Sequence, residues 1–317
     1  MTTTLAIVKE RLPIAQDPEG GPQRLIAAFL ERRSVSTRRA YQADLADFAA
    51  YVGTDNPAEA VRYLIARGPG PANEVAMNYK GALAARGLSA GTVNRRLSTL
   101  RSALKMARTV GLCTFGLEIE SERRESYRDT RGPGVQRIKG MVGQLQARGD
   151  AGSRQAVRDL AIVRLLFDMG LRRGEAVSLD VEHYDREGCR LHIHGKGRDE
   201  REWVTVPPAA KAAVDRWLAL RGEAPGPMFT QCDRLAKVRA GEGRLSGTAI
   251  WYMLRRFNVR PHGLRHTAIT EALRITNGDI PEVMGFSRHK SPQVLMVYND
   301  RRKDAGGKVA AMLGALV

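Results

Sequence analysis

The sequence predicts a two-domain, mainly helical protein: an all-α first domain, then a mainly α second domain carrying a small β-hairpin or sheet (α+β). Three observations lead there. The 317 residues suffice for about two domains at the usual 100–200 residues each. Apolar residues recur with the helical period through most of the chain, and one short stretch alternates with the period of paired strands.

Residues 1–20 carry little pattern and end in a Pro- and Gly-rich run, which reads as a flexible arm. The helical first domain spans 21–110. Leu25, Ile26, Phe29 and Leu30 share one helical face, and Tyr41, Leu45, Phe48 and Val52 share the next. Ser36 or Thr37 is the expected cap of that second helix. A third helix is predicted over 57–67 and a fourth from Pro71 to Arg86. The longest runs from Ser89 to Val110, with Val93, Leu97, Leu100, Leu104 and Ala107 as its stripe and Gly111 as its stop.

Residues 111–134 are charged and then rich in turn formers, which predicts a linker. The second domain, 135–317, opens with a helix to Arg148 and then one that buries Ala161, Ile162, Leu165, Leu166 and Met169. Leu191 and Ile193 alternate with His192 and His194, and Val204 and Val206 alternate after Gly195-Lys196-Gly197, which is a hairpin signature. Further helices are expected over 207–221, 246–258 and 261–275. An apolar tail, 309–317, closes the chain.

The chain holds 51 Lys and Arg against 34 Asp and Glu, a net charge of +17. Such an excess points to a polyanion, nucleic acid ahead of a membrane surface. In the first domain Arg32, Arg33, Arg38, Arg39, Arg95, Arg96, Arg101 and Lys105 are candidate phosphate contacts, set against the plainer reading of a solvated helix face. No run of about 18 apolar residues suggests a membrane span, and residues 1–11 lack a signal-peptide pattern. Cys113, Cys189 and Cys232 are scattered, with no CxxC. That fits a reducing, cytoplasmic setting and argues against a structural zinc. His192 and His194 share a strand face, but no carboxylate or Cys cluster completes a metal site, so neither metal nor cofactor is expected.

Chemistry concentrates in the second domain. Pro261 is suited to a first helical turn, which puts His262 and Arg265 on one face at i, i+3. Arg can grip a phosphate with two bonds and His can move protons near neutral pH. Tyr can serve as a covalent nucleophile when a neighbour takes its proton.

The run His262-x-x-Arg265, then His289 nine residues before Tyr298, resembles the tyrosine recombinase (phage integrase) family. Gly170-Leu171-Arg172-Arg173-Gly174-Glu175 resembles that family's first-arginine motif, and Lys196 stands where the family has its hairpin lysine. The ordered motifs cover most of the C-terminal half, and the helical pattern of the first domain matches the family's core-binding domain more loosely.

The resemblance implies a site-specific recombinase that cleaves and rejoins DNA through a 3′-phosphotyrosyl link, without metal or ATP. Arg172 and Arg265 would clamp the scissile phosphate, Tyr298 would attack it, and Lys196 would protonate the leaving oxygen. His262 would assist proton transfer from Tyr298, His289 would donate a hydrogen bond to the phosphate, and Glu175 would orient the site. The partners implied are double-stranded DNA in the nucleoid and further copies of the chain in a synaptic tetramer, joined through the apolar tail, which could instead pack on its own domain; accessory proteins are admitted too. The family often has Gly before its second histidine, where this chain has Arg288. Aligning on Gly285 would put Phe286 in the histidine's place, twelve residues from Tyr298, so spacing favours His289. The alternatives are a type IB topoisomerase-like enzyme and a DNA-binding regulator that has lost catalysis.

Overall fold

The computed structural model describes residues 21–31, 33–123, 132–195, 201–232, 243–299 and 311–315, apart from the side chains of Pro22, Ser36, Val297 and Asn299. The expected arm, Arg32, Lys196 and most of the tail lie outside them. The chain divides into two compact units, residues 1–127 and 128–317.

The first unit is five helices: α1 (Gly21–Glu31), α2 (Val35–Tyr51), α3 (Pro57–Arg67), α4 (Pro69–Ala85) and α5 (Ala90–Thr109). Their shared face buries Phe29, Leu45, Phe48, Leu64, Tyr79, Leu83, Leu97 and Leu104. Each such side chain contributes about 1.5–3 kcal/mol. Two starts differ from expectation. The cap of α2 is Ser34, whose hydroxyl accepts from the Thr37 amide; Thr37 is already a third-position donor rather than the cap. Helix α4 begins at Pro69, not Pro71. Gly68, at φ 77°, both ends α3 and starts α4, and Pro69 gives up only an amide that a first turn leaves unused.

The first part of the expected linker is packed. Leu117 and Ile119 are buried in the core of this unit, with Cys113 and Phe115 against it. Their alternation with Glu118 and Glu120 lets an extended segment keep one side dry. Side chains of the helices stand in for a partner strand. Asn94 bonds both the amide (2.7 Å) and the carbonyl (2.9 Å) of Glu122, and Asn73 accepts from the Glu118 amide at 2.7 Å.

The second unit is built around α7 (Arg154–Asp168), whose neighbours are α6 (Val135–Asp150), α9 (Pro208–Arg221) and α11 (Pro261–Ile275). Short α8 (Arg173–Val177) precedes an antiparallel sheet, β1 (Tyr184–Asp185), β2 (Arg190–His194) and β3 (Arg201–Thr205), in that spatial order. The β2–β3 pair is the expected hairpin, with Leu191 opposite Val204 and His192 opposite Trp203. Strand β1 is two residues long, too short to show an alternation. Helices α10 (Gly247–Arg255), α12 (Ile280–Ser287) and α13 (Pro292–Asn299) complete the unit. The main core includes Leu165, Leu166, Leu171, Ile193 and Trp217. A smaller separate cluster joins Ile269 and Leu273 of α11 to Val283, Leu295 and Tyr298. Among the described residues no helix is long and apolar enough to cross a membrane, and no cluster of three His, Cys, Asp or Glu is placed to hold a metal.

Candidate active site

The site grows from the end of α7. Gly170 turns the chain at φ 56°, and a Cβ there would lie 3.1 Å from the Phe286 ring, so any side chain would be strained and would have to displace that ring. The turn brings Arg172 to the start of α8. Glu175 reaches back and accepts from the Arg172 amide (2.8 Å) and from Nη1 of its guanidinium (2.7 Å). This i, i+3 pairing is a capping contact that also aims a catalytic candidate.

Glu175 is buried and holds a second cation: Nη2 of Arg288 donates to its Oε2 at 3.0 Å. Burial alone would raise its carboxyl, but the Arg288 charge and the Arg172 bonds outweigh that and hold it below the ordinary value. Arg288 ends α12 in the left-handed conformation, φ 55°. A glycine is the easy residue there, which gives the family preference its physical reason. Its side chain turns inward to bond the carbonyls of Met169 and Gly170, and Nε lies 3.7 Å from Glu202 on β3.

Arg265, on α11, is 1% exposed. It donates to the carbonyls of Gly170 and Ser287, and Nη2 stands 3.4 Å from Nε2 of His289. Burial, then the charges of Arg172 and Arg288, bring Arg265 down to about 10, still cationic at neutral pH. His289 faces Ser287 Oγ at 2.9 Å through Nδ1. Burial and the surrounding arginines, Arg265 foremost, push it down to about 4.

That shift has a sign. A free histidine titrates near 6.5 and the folded one near 4, so the unfolded chain takes up the proton first. Stability is full above pH 6.5 and falls as pH drops toward 4. Chemical denaturation at pH 7 and pH 5 will show the second unit weaker at pH 5, and His289→Gln will reduce the difference.

Tyr298 is buried, and its hydroxyl meets Nδ1 of His266 at 2.5 Å. His266 was not among the sequence candidates. His262 was, and its exposed ring instead packs edge-to-face on His266 at 4.1 Å between centroids. So α11 presents Arg265 inward and His266 at the tyrosine, with His262 a turn earlier packed on His266. Arg173 lies over Gly247.

The structure therefore gathers Arg172, Glu175, Arg265 and His289 in one network, with His262 and Tyr298 joined through His266. Lys196 is outside the described residues, and Gly195 is the last described residue before it.

Residues 141–304 match the phage integrase family. A tyrosine recombinase of Synechococcus elongatus is 34% identical over the full length of both chains. The chain belongs to the phage integrase family. A second integrase-family relative, a tyrosine recombinase of Synechocystis sp., is 32% identical over 96% of this chain and 99% of its own. Among solved structures, the Tn1549 transposon integrase in complex with transposon right end DNA shares the fold, with TM-score 0.66 and 13% identity over 93% of this chain and 99% of its own.

Two contributors escaped the sequence. Arg288 was visible as a departure from the integrase pattern, but its partner Glu175 is 113 positions away. His266 follows Arg265 directly, and its placement one turn after His262 was the available signal. In the first unit, several predicted phosphate contacts have internal partners. Arg96 is tied to Asp47 (2.5 Å) and lies 3.8 Å from Asp44, Arg95 pairs with Asp44, and Arg101 bonds the Ile119 carbonyl. Arg38 bonds the Glu31 carbonyl at 3.3 Å, Arg33 lies over the rings of Phe29 and Tyr41, and Arg39 and Lys105 are exposed.

Proposed function

We propose that this protein is a site-specific DNA recombinase of the tyrosine type, acting on double-stranded DNA. The observation that carries the reading is the Tyr298 hydroxyl held by an imidazole next to buried and half-buried arginines. Other tyrosines have a different setting. Tyr79 and Tyr184 bond Asp47 and Asp215, and burial together with those carboxylates pushes both phenols up, which disfavours an attacking phenolate.

A phosphodiester resists attack because its charged oxygens repel a nucleophile, so cations must meet the charge that develops. Arg172 and Arg265 supply two. The carbonyls of Gly170 and Ser287 fix the orientation of Arg265, and Glu175 fixes that of Arg172. His289, neutral at pH 7, gives the phosphate a hydrogen bond once a non-bridging oxygen enters between it and Arg265. Tyr298 attacks phosphorus as its proton passes to the histidine pair of α11, the bond to the 5′-oxygen breaks, and Lys196 protonates that oxygen. The 3′-phosphotyrosyl link keeps the bond's energy, so another 5′-hydroxyl can reverse the step without ATP or metal.

Arg33, Arg39 and Lys105 are the better phosphate contacts of the first unit, Arg96 the weaker, since Asp47 already binds it. Residues 311–315 are exposed, Met312 and Leu313 included. That supports docking of the apolar tail into another copy and assembly into a tetramer; a DNA substrate fits work in the cytoplasmic nucleoid.

The test is covalent trapping. Protein mixed with nicked, sheared genomic DNA in chelator, then denatured, will carry DNA through a protein bond, and sequencing the captured fragments will define the target. A folded, DNA-binding protein that traps nothing would overturn the catalytic reading in favour of a regulator.

A further inference from the structure

Family resemblance gives the tyrosine's proton to His262, but the geometry points elsewhere. The phenolic O–H of Tyr298 lies against Nδ1 of His266 at 2.5 Å. With the hydroxyl donating, Nδ1 is the acceptor and the ring carries its own proton on Nε2. His266 also forms part of the wall of a cleft of about 460 Å³ that includes Arg137, Arg260 and His262. The acceptor is therefore buried on its tyrosine side and open on a side rich in cations, where a phosphate backbone is attracted.

The neighbouring groups are poorer acceptors. Arg265 and Arg172 are donors with no acceptor atom, and they hold carbonyls or Glu175. His289 is engaged with Ser287 and Arg265. His262 meets His266 edge-to-face at an interplanar angle of 70°, an arrangement that fixes the second ring.

We propose that His266 is the general base of strand cleavage, an assignment that rests on the recombinase reading above. As the phenolic oxygen bonds to phosphorus, its proton passes to Nδ1 of His266. The bond from phosphorus to the 5′-oxygen breaks, and that oxygen leaves with the electron pair and is protonated by Lys196. Rejoining runs backward: the incoming 5′-hydroxyl attacks phosphorus and gives its proton to Lys196, the bond from phosphorus to the Tyr298 oxygen breaks, and protonated His266 returns a proton to the phenol. His262 is a positioning residue that holds the imidazole.

The experiment uses the full chain and a nicked duplex of the trapped sequence. One version carries the natural 5′-oxygen at the scissile phosphate and the other a bridging sulfur. A thiolate leaves without a proton, so sulfur relieves the loss of an acid but not of a base. In His266→Asn the side chain can still accept a hydrogen bond but cannot take a proton. It will bind DNA within about threefold of wild type and cleave about 10²- to 10⁴-fold more slowly with either leaving group. Cleavage at the wild-type rate would overturn the proposal. So would a loss cured by sulfur, which would move His266 to the leaving-group side. Should His266→Asn fail to fold, His266→Gly is read with added imidazole: rescue of cleavage supports the proposal and its absence in a DNA-binding protein counts against it. Failure of the recombinase reading looks different, because wild type itself would then form no Tyr298-dependent adduct.

Discussion

A Tyr298→Phe protein will bind the trapped DNA as wild type does, yet leave no protein-linked strand after denaturation. The effect is total because the substitution removes the atom that would bond to phosphorus. The fold has little to lose. The ring stays in its cluster with Ile269, Leu273, Val283 and Leu295, and one hydrogen bond to His266 disappears, worth about 1 kcal/mol. Thermal unfolding measured beside the denaturing gel separates the two effects. A covalent adduct that persists in the Phe protein would place the nucleophile elsewhere.

Arg288 governs the second large effect. Replacing it with alanine leaves Glu175 short of a partner in a buried site, where both side chains are 5% exposed or less. Breaking such a pair costs about 3–5 kcal/mol, and the surviving bonds to Arg172 put this case near the lower end. Arg288→Gly loses the same ion pair but relieves a left-handed residue of its Cβ, worth about 1 kcal/mol. The order of stability from urea denaturation will be wild type, then glycine, then alanine. Equal values for the two variants would remove the argument from backbone conformation. Both variants will also cleave more slowly, because Glu175 is what aims Arg172.

The ends of α11 were legible because Pro261 marks its start and the apolar period runs unbroken to Ile275. The hairpin was legible because Leu191, Ile193, Val204 and Val206 alternate. Ser34 does not stand out in the sequence because three hydroxyl residues within four positions can each cap, and only the backbone decides. The packed stretch at Leu117 and Ile119 looked like a linker because its bonds go to Asn73 and Asn94, far off in sequence. Arg96 looked like a DNA contact for the same reason: its aspartates lie on another helix. The inward turn of Arg288 and the grip of His266 on Tyr298 are likewise products of tertiary packing. Local periodicity reveals which face is dry but not which distant polar group waits there.

The small cluster around Tyr298 has one more implication. Helix α13 is fastened to α11 by a handful of apolar side chains that do not merge with the main core, whereas α12 is also tied through Arg288 to Glu175. Proteins open in cooperative pieces, and a piece with few buried contacts opens at a free energy below that of global unfolding. The nucleophile sits in this smaller cluster, so hydrogen exchange will find the amides of α13 opening sooner than those of α7.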